Sequence, residues 1–233
     1  EVFVKIDADM VFRSPHALKA IVWQFATDPG LDHIAMSLHD FLSGLRIMSM
    51  QGFSNRVQWP HMEESLFVDP NPSYPGHLRL QWDPPAPIAV HSPDPSPLQA
   101  FTFGVHRAFK AFQPDRGRIA LGQSHYQFHL LRSIWDRFEV SGDRRAGLAI
   151  YGADLVWRGV LAPGLDYKSE QVSSKFEACD GMSVDDLRRA LAPRWGSRAR
   201  RVRALASTHG GRLAKTLLHR AVGLKEHHDV PTA

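Results

Sequence analysis

The first apolar positions form a short run, Val2-Phe3-Val4-Lys5-Ile6, which predicts a buried strand that stops at Asp7-Ala8-Asp9. Ser14-Pro15 then supplies a capping side chain and a first-turn proline, the usual opening of a helix. Leu18, Ile21, Val22 and Phe25 follow at helical spacing and predict one apolar face. Asp28-Pro29-Gly30 ends that helix, and His33 to Leu38 reads as a further strand. A strand–helix–strand unit of this kind predicts an α/β sheet with right-handed crossovers. Residues 69–97 hold nine prolines and read as a structured loop around one short strand, Ile88-Ala89-Val90, ending at His91. Ser96-Pro97 repeats the helix-opening pair, and Leu98, Phe101, Val105, Ala108, Phe109 and Phe112 mark the apolar face of a second helix. A third helix is expected over about 124–138, with Leu131, Ile134 and Phe138 inward, and a fourth over 146–161.

With 233 residues the chain has room for one large domain or two small ones. Its single cysteine, Cys179, excludes an internal disulfide framework and a cysteine-rich zinc module. No run approaches the ~20 apolar residues of a membrane-spanning helix. The chain opens on Glu1 inside an apolar run, which reads as the loss of an N-terminal portion. Charge changes the picture further. Residues 187–225 hold eleven Lys/Arg and no Asp/Glu, whereas residues 1–186 carry 17 basic and 22 acidic side chains. The pattern predicts a mildly acidic body, 1–186, joined to a basic, helical or partly disordered tail, 187–233.

Three places offer chemistry. Asp7-Ala8-Asp9 puts two carboxylates at the end of a buried strand, a hard oxygen site for Mg²⁺ or Mn²⁺ and the usual place for ligands in open α/β sheets. The plain alternative is a solvated turn. His91 also ends an apolar strand, before the rigid stretch Ser92-Pro93-Asp94-Pro95-Ser96-Pro97, and imidazole can complete a divalent site, although a lone histidine is more often structural. Glu63 and Glu64 precede Leu66-Phe67 and read as a loop opening a short helix, where a carboxylate is either a proton acceptor or simple capping charge. Asp40, just past a strand end, is the rival base, and Arg46, Trp59 and Trp82 are unranked candidates for holding a sugar or a phosphate.

Val4-Lys5-Ile6-Asp7-Ala8-Asp9-Met10-Val11 resembles the strand and DxD motif of GT-A-type glycosyltransferases, most closely the bacterial family 2 enzymes. The stretch from His91 to Phe101, followed by Gly104-Val105-His106-Arg107, is similar to bacterial proteins of that kind. The resemblance implies the C-terminal part of a GT-A-like, Rossmann-like mixed sheet flanked by helices, with the nucleotide-binding portion N-terminal to it missing. It implies metal-dependent transfer of a sugar from a nucleotide-diphosphate donor to a hydroxyl of a glycan or lipid-linked acceptor, with inversion. Carried over, Asp9 is the metal ligand, Asp7 its companion toward the nucleotide sugar, His91 the further ligand, and Glu64 or Glu63 the base. The cofactor would be Mn²⁺ or Mg²⁺, and the setting cytoplasmic, at the inner face of the membrane.

The same residues also resemble the first motif of haloacid-dehalogenase-type phosphatases, with Asp7 as nucleophile, Asp9 as acid/base, and Lys168, Asp180 and Asp185 in later motifs. A non-enzymatic reading rests on the basic tail. Leu213, Leu217, Ala221 and Leu224 recur there at helical spacing, which suits an anionic membrane surface at least as well as nucleic acid, for which no motif is present.

Overall fold

The computed structural model describes residues 1–59, 73, 75–82, 86–112, 121–162, 165 and 169–197. Two compact units divide at Ser96/Pro97. The first carries β1 (Val2–Lys5), β2 (Met10–Phe12), α1 (Ala17–Thr27), β3 (Leu31–Asp40), β4 (Arg46–Ser54), β5 (His77–Trp82) and β6 (Ala89–His91). Its mixed sheet has the order β1-β4-β3-β6-β2, with β5 also paired to β3. The long strand β3 is the axis. It is antiparallel to β4 and parallel to β5 along its first half, then parallel to β6 at its end.

A helix follows Ser14-Pro15, but it opens later than expected: Ser14 and Pro15 form a turn in which Ser14 Oγ accepts from the His16 amide at 3.1 Å, and α1 starts at Ala17 with His16 as an N-cap that makes no side-chain bond. Its buried face differs from expectation. Ala17, Ile21 and Phe25 are inward, while Leu18 and Val22 are 45% and 49% exposed. Only the stripe at i, i+4, i+8 meets the sheet, where Gly52 lets β4 approach: a Cβ there would stand 3.0–3.1 Å from Ile34 and Phe25. Two strands had no clear pattern in the sequence. In β4 a bulge breaks the alternation, since Met36 faces Met50 but Ser37 faces Met48. In β5 the prolines at 75, 84 and 85 bound the strand and do not interrupt it.

One buried carboxylate ties three segments of this unit. Asp32 is fully buried at the start of β3. It accepts from Ser54 Oγ at 2.5 Å, from Arg56 Nε at 2.7 Å and from the Gly76 amide. Burial pushes its carboxyl up, but the bonds from Ser54, Gly76 and Arg56 outweigh burial and hold it below the ordinary range.

The second unit is helical where it is described: α2 (Pro97–Phe112), α3 (Leu121–Ser141), α4 (Arg144–Trp157), α5 (Glu170–Asp180) and α6 (Val184–Trp195). Helices α2 and α4 meet backbone to backbone, because a Cβ at Gly104 would overlap the Ala149 carbonyl and one at Gly152 the Phe101 carbonyl. The expected boundary at residue 187 is corrected by α6. Leu187, Leu191 and Trp195 are buried in the core. Arg194 grips the buried Asp154 of α4 through bonds of 2.5 and 2.6 Å, and the Trp195 indole donates to the same carboxylate at 3.2 Å while its ring stacks on Trp157 at 4.1 Å. Three of the eleven cations counted with the tail thus belong to the folded unit: Arg188 pairs with Glu139 and Asp185, Arg189 with Asp186, and Arg194 with Asp154. Ser183 and Asp186 cap this helix reciprocally, a sequence signal within the segment read as body. Residues 198–233 lie outside the described residues.

Two outcomes follow from these ties. Asp32 contributes stability that is present above its unfolded pKa of about 3.9 and lost as pH falls toward its lower folded value. Asp32→Asn should therefore cost about 2–3 kcal/mol at pH 7, and urea unfolding should show a smaller loss of stability between pH 6 and pH 3 than in the parent; an unchanged pH dependence would refute the assignment. Ending the chain at residue 186 removes the Trp195 and Arg194 contacts and should abolish cooperative unfolding of the helical unit, whereas ending it at 197 should leave the melting transition in place.

Candidate functional site

Strand directions decide where the candidate residues meet. β1 is antiparallel to β4 and β4 to β3, so β1 and β3 run the same way, and β6 is parallel to β3. The carboxyl ends of all three therefore share one edge of the sheet. Asp7 and Asp9 follow β1, Asp40 ends β3 and His91 ends β6. The turn after β1 is closed by the Met10 amide donating to the Asp7 carbonyl at 3.0 Å. Met10 then pairs with His91, and that register sets Asp9 beside Ser92. The Ser92 amide donates to the Asp9 carbonyl at 2.8 Å, and Ser92 Oγ donates to Asp9 Oδ2. Ser92 holds φ at 46°, the one positive φ at a non-glycine among the described residues, a strained conformation of the kind that functional sites retain.

His91 is buried and has a carboxylate on each ring nitrogen. Asp40 Oδ1 lies 2.8 Å from Nδ1, and Asp9 Oδ2 lies 3.6 Å from Nε2. Asp40 is itself fixed by the β3–β4 turn. The Ser43 amide and hydroxyl donate to its other oxygen at 2.7 and 2.5 Å, and Gly44, at φ 68°, completes the turn. Burial pushes the Asp40 carboxyl up, yet the bonds from His91 and Ser43 outweigh burial and hold it below the ordinary carboxylate range. An ionised carboxylate only accepts, so Nδ1 carries a proton for Asp40, and Nε2 faces Asp9. This corrects Asp40 as a rival base: it is fully buried and weakly basic, and it positions His91.

The other candidates are dispersed. Asp7 is partly exposed, with Lys5 Nζ at 3.7 Å. Glu63 and Glu64 lie outside the described residues. Arg46 pairs with His39 and so stands on the same sheet edge as Asp40. Trp59 does not: it packs on Phe53 at 4.7 Å, and Phe53 faces Phe3 and His33 toward the opposite edge. Trp82 ends β5. Asp180 and Asp185 belong to the helical unit, in ion pairs with Arg144 and Arg188. Burial pushes the Cys179 thiol up to about 11, which leaves it without nucleophilic character. Reading the sequence missed Ser43 and Ser92. The signal for the first was Asp40-Phe41-Leu42-Ser43-Gly44, an Asp/Ser turn closed by glycine.

His91 and Asp9 make a donor pair suited to a divalent cation. Two ligands each about 2.1–2.2 Å from one ion lie roughly 3–3.5 Å apart, close to the observed separation. Mixed imidazole and carboxylate favours Mn²⁺ over Mg²⁺. Among the described residues no three His, Cys, Asp or Glu side chains form a metal-holding group. Among the same residues no helix is long and apolar enough to cross a membrane. Compared with known proteins, the chain matches no family model, no curated protein and no solved structure.

The Asp40 bond predicts the ring's protonation. In ¹H–¹⁵N spectra, His91 Nδ1 should carry a proton shifted downfield by its bond to Asp40, and Asp40→Ala should move that resonance upfield. A parent protein whose His91 Nδ1 carries no proton would contradict the geometry.

Proposed function

We propose that this protein transfers a sugar from a nucleotide-diphosphate donor to a hydroxyl acceptor, using a divalent cation held at Asp9 and His91. The observation that carries the reading is the meeting of Asp9 Oδ2 with His91 Nε2 at 3.6 Å, with Asp40 fixed behind the ring. The DxD resemblance of Asp7-Ala8-Asp9 supplies the reaction class. The aspartates follow a strand whose direction β3 and β6 share, as that reading requires.

Each residue then has a task. Asp40 accepts from His91 Nδ1, which holds the ring with Nε2 toward Asp9. Ser92 fixes Asp9 by its amide and its hydroxyl, so the carboxylate does not have to be ordered when a ligand arrives. Asp7, partly exposed on the same turn, faces the nucleotide side of the donor. A bound Mn²⁺ or Mg²⁺ would offset the charge that grows on the departing diphosphate. The proton of the acceptor hydroxyl goes to Glu64 or Glu63. The phosphatase reading has less behind it. The later acidic residues it calls on, Asp180 and Asp185, are already engaged as helix-end ion pairs.

Incubated with a panel of radiolabelled nucleoside-diphosphate sugars and hydroxyl acceptors, the full-length protein should transfer sugar with Mn²⁺ or Mg²⁺ and not with EDTA. Asp9→Asn should abolish transfer, and Glu64→Gln should lower it by ~10²–10⁴ while donor binding persists. Unimpaired transfer by Asp9→Asn, or metal-dependent hydrolysis of p-nitrophenyl phosphate that Asp7→Asn abolishes, would overturn the proposal.

A further inference from the structure

Ser92 is placed in a way that its bond to Asp9 alone does not require. It follows His91 at the end of β6, and neighbouring side chains of an extended chain point to opposite faces. Yet both reach one atom. His91 Nε2 stands 3.6 Å from Asp9 Oδ2, and Ser92 Oγ donates to that same oxygen. The φ of 46° at Ser92 breaks the alternation. Glycine takes this conformation at no steric cost, and it would keep the bond of 2.8 Å from the amide at position 92 to the Asp9 carbonyl. What serine adds there is its hydroxyl, held in a conformation of the kind that functional sites retain. Asp9 does not need that hydroxyl as a donor, since its side chain is 32% exposed and open to water.

We propose that Ser92 Oγ is a third protein ligand of a Mn²⁺ or Mg²⁺ ion at Asp9 and His91, an inference that rests on the cation assigned to that pair. Carboxylate, hydroxyl and imidazole are donors that such ions accept, and serine or threonine hydroxyls meet Mg²⁺ in phosphate-binding loops. A hydroxyl that donates a hydrogen bond to Asp9 still has its lone pairs, so it binds an ion without losing its proton. Neighbouring ligands about 2.1 Å from an octahedral ion stand roughly 3 Å apart. Entry of the ion therefore draws Ser92 Oγ and Asp9 Oδ2 apart and ends their direct bond, while the backbone bond between the two residues stays. Ser92 and His91 are buried, so the partly exposed Asp9 is the side from which the ion arrives. Among the described residues, the third ligand that His, Cys, Asp and Glu do not supply is thus a serine.

The test is binding of Mn²⁺ and Cd²⁺ by the full chain, read from the paramagnetic resonance of free Mn²⁺ and from ultraviolet absorption. The parent should bind Mn²⁺. Ser92→Gly keeps the amide bond and relieves the positive φ. It should melt no lower than the parent, yet bind Mn²⁺ at least about 10-fold more weakly. Ser92→Cys puts a soft sulfur in place of a hard oxygen and should reverse the metal preference. Mn²⁺ should bind more weakly and Cd²⁺ more tightly, with a thiolate–Cd²⁺ charge-transfer band that is absent from the parent, whose Cys179 is buried. A hydroxyl that merely holds Asp9 in place predicts weaker binding of both metals and no band. Parent-like Mn²⁺ affinity in Ser92→Gly, or Cd²⁺ binding by Ser92→Cys without the band, would overturn the proposal and leave the Asp9–His91 cation standing. Failure of the parent to bind Mn²⁺ would overturn both.

Discussion

Strands β1 and β2 are joined by only four residues, 6–9, yet they stand at opposite ends of the pairing order β1-β4-β3-β6-β2. Lys5 and Met10 are at most about 18 Å apart even if the link is stretched, so the sheet has to curl until its two edges approach. The Asp7–Met10 turn bridges that gap, and much of the local structure follows. Pairing of β2 with β6 delivers Asp9 to Ser92 and puts His91 within reach. The directions of β3 and β6 deliver Asp40 to the other side of the same ring. The apolar run of β1 is therefore more than a place to hang a motif. Its position at the far side of β4 is what makes a short acidic turn span the open edge.

Three buried carboxylates hold the chain together in the same physical way. Asp32, Asp40 and Asp154 are each fully buried, and each is surrounded by donors from separate segments. A buried carboxylate without donors would be expensive. Each of these therefore orders its neighbours. Asp32 joins the end of β4 to the segment ahead of β5, Asp154 anchors α6 to α4, and Asp40 fixes a histidine whose other nitrogen faces Asp9. The first two serve the fold. The third differs because its partner faces a second, partly exposed carboxylate at 3.6 Å.

Much of this was legible in the sequence. The strands before Asp7 and His91, the helices after Ser14-Pro15 and Ser96-Pro97, and the helical segments near 124–138 and 146–161 rest on apolar spacing, which is local; the burial expected of the first strand is not found, since β1 pairs with β4 alone and leaves Phe3 54% exposed. What escaped was set by partners distant in sequence. The burial of Ile21 and Phe25 in preference to Leu18 and Val22 depends on where Gly52 thins the sheet. The start of the basic segment looked like a tail because charge dominates its composition, while Leu187, Leu191 and Trp195 bind it to α4 through contacts some forty residues away. Asp40 looked like a base because only the register between β3 and β6 shows that its acceptor capacity is spent on His91 and Ser43.

The central claim is that His91 Nε2 and Asp9 share one divalent cation. Anomalous diffraction at the manganese edge, from crystals of the full-length protein grown with Mn²⁺ and a nucleoside diphosphate, addresses it without relying on activity. The account predicts a single strong peak within about 2.3 Å of both His91 Nε2 and an Asp9 carboxylate oxygen, with Asp40 still bonded to Nδ1. A nucleoside diphosphate bound with its manganese coordinated by other residues, and His91 and Asp9 left bonded only to protein, would contradict it.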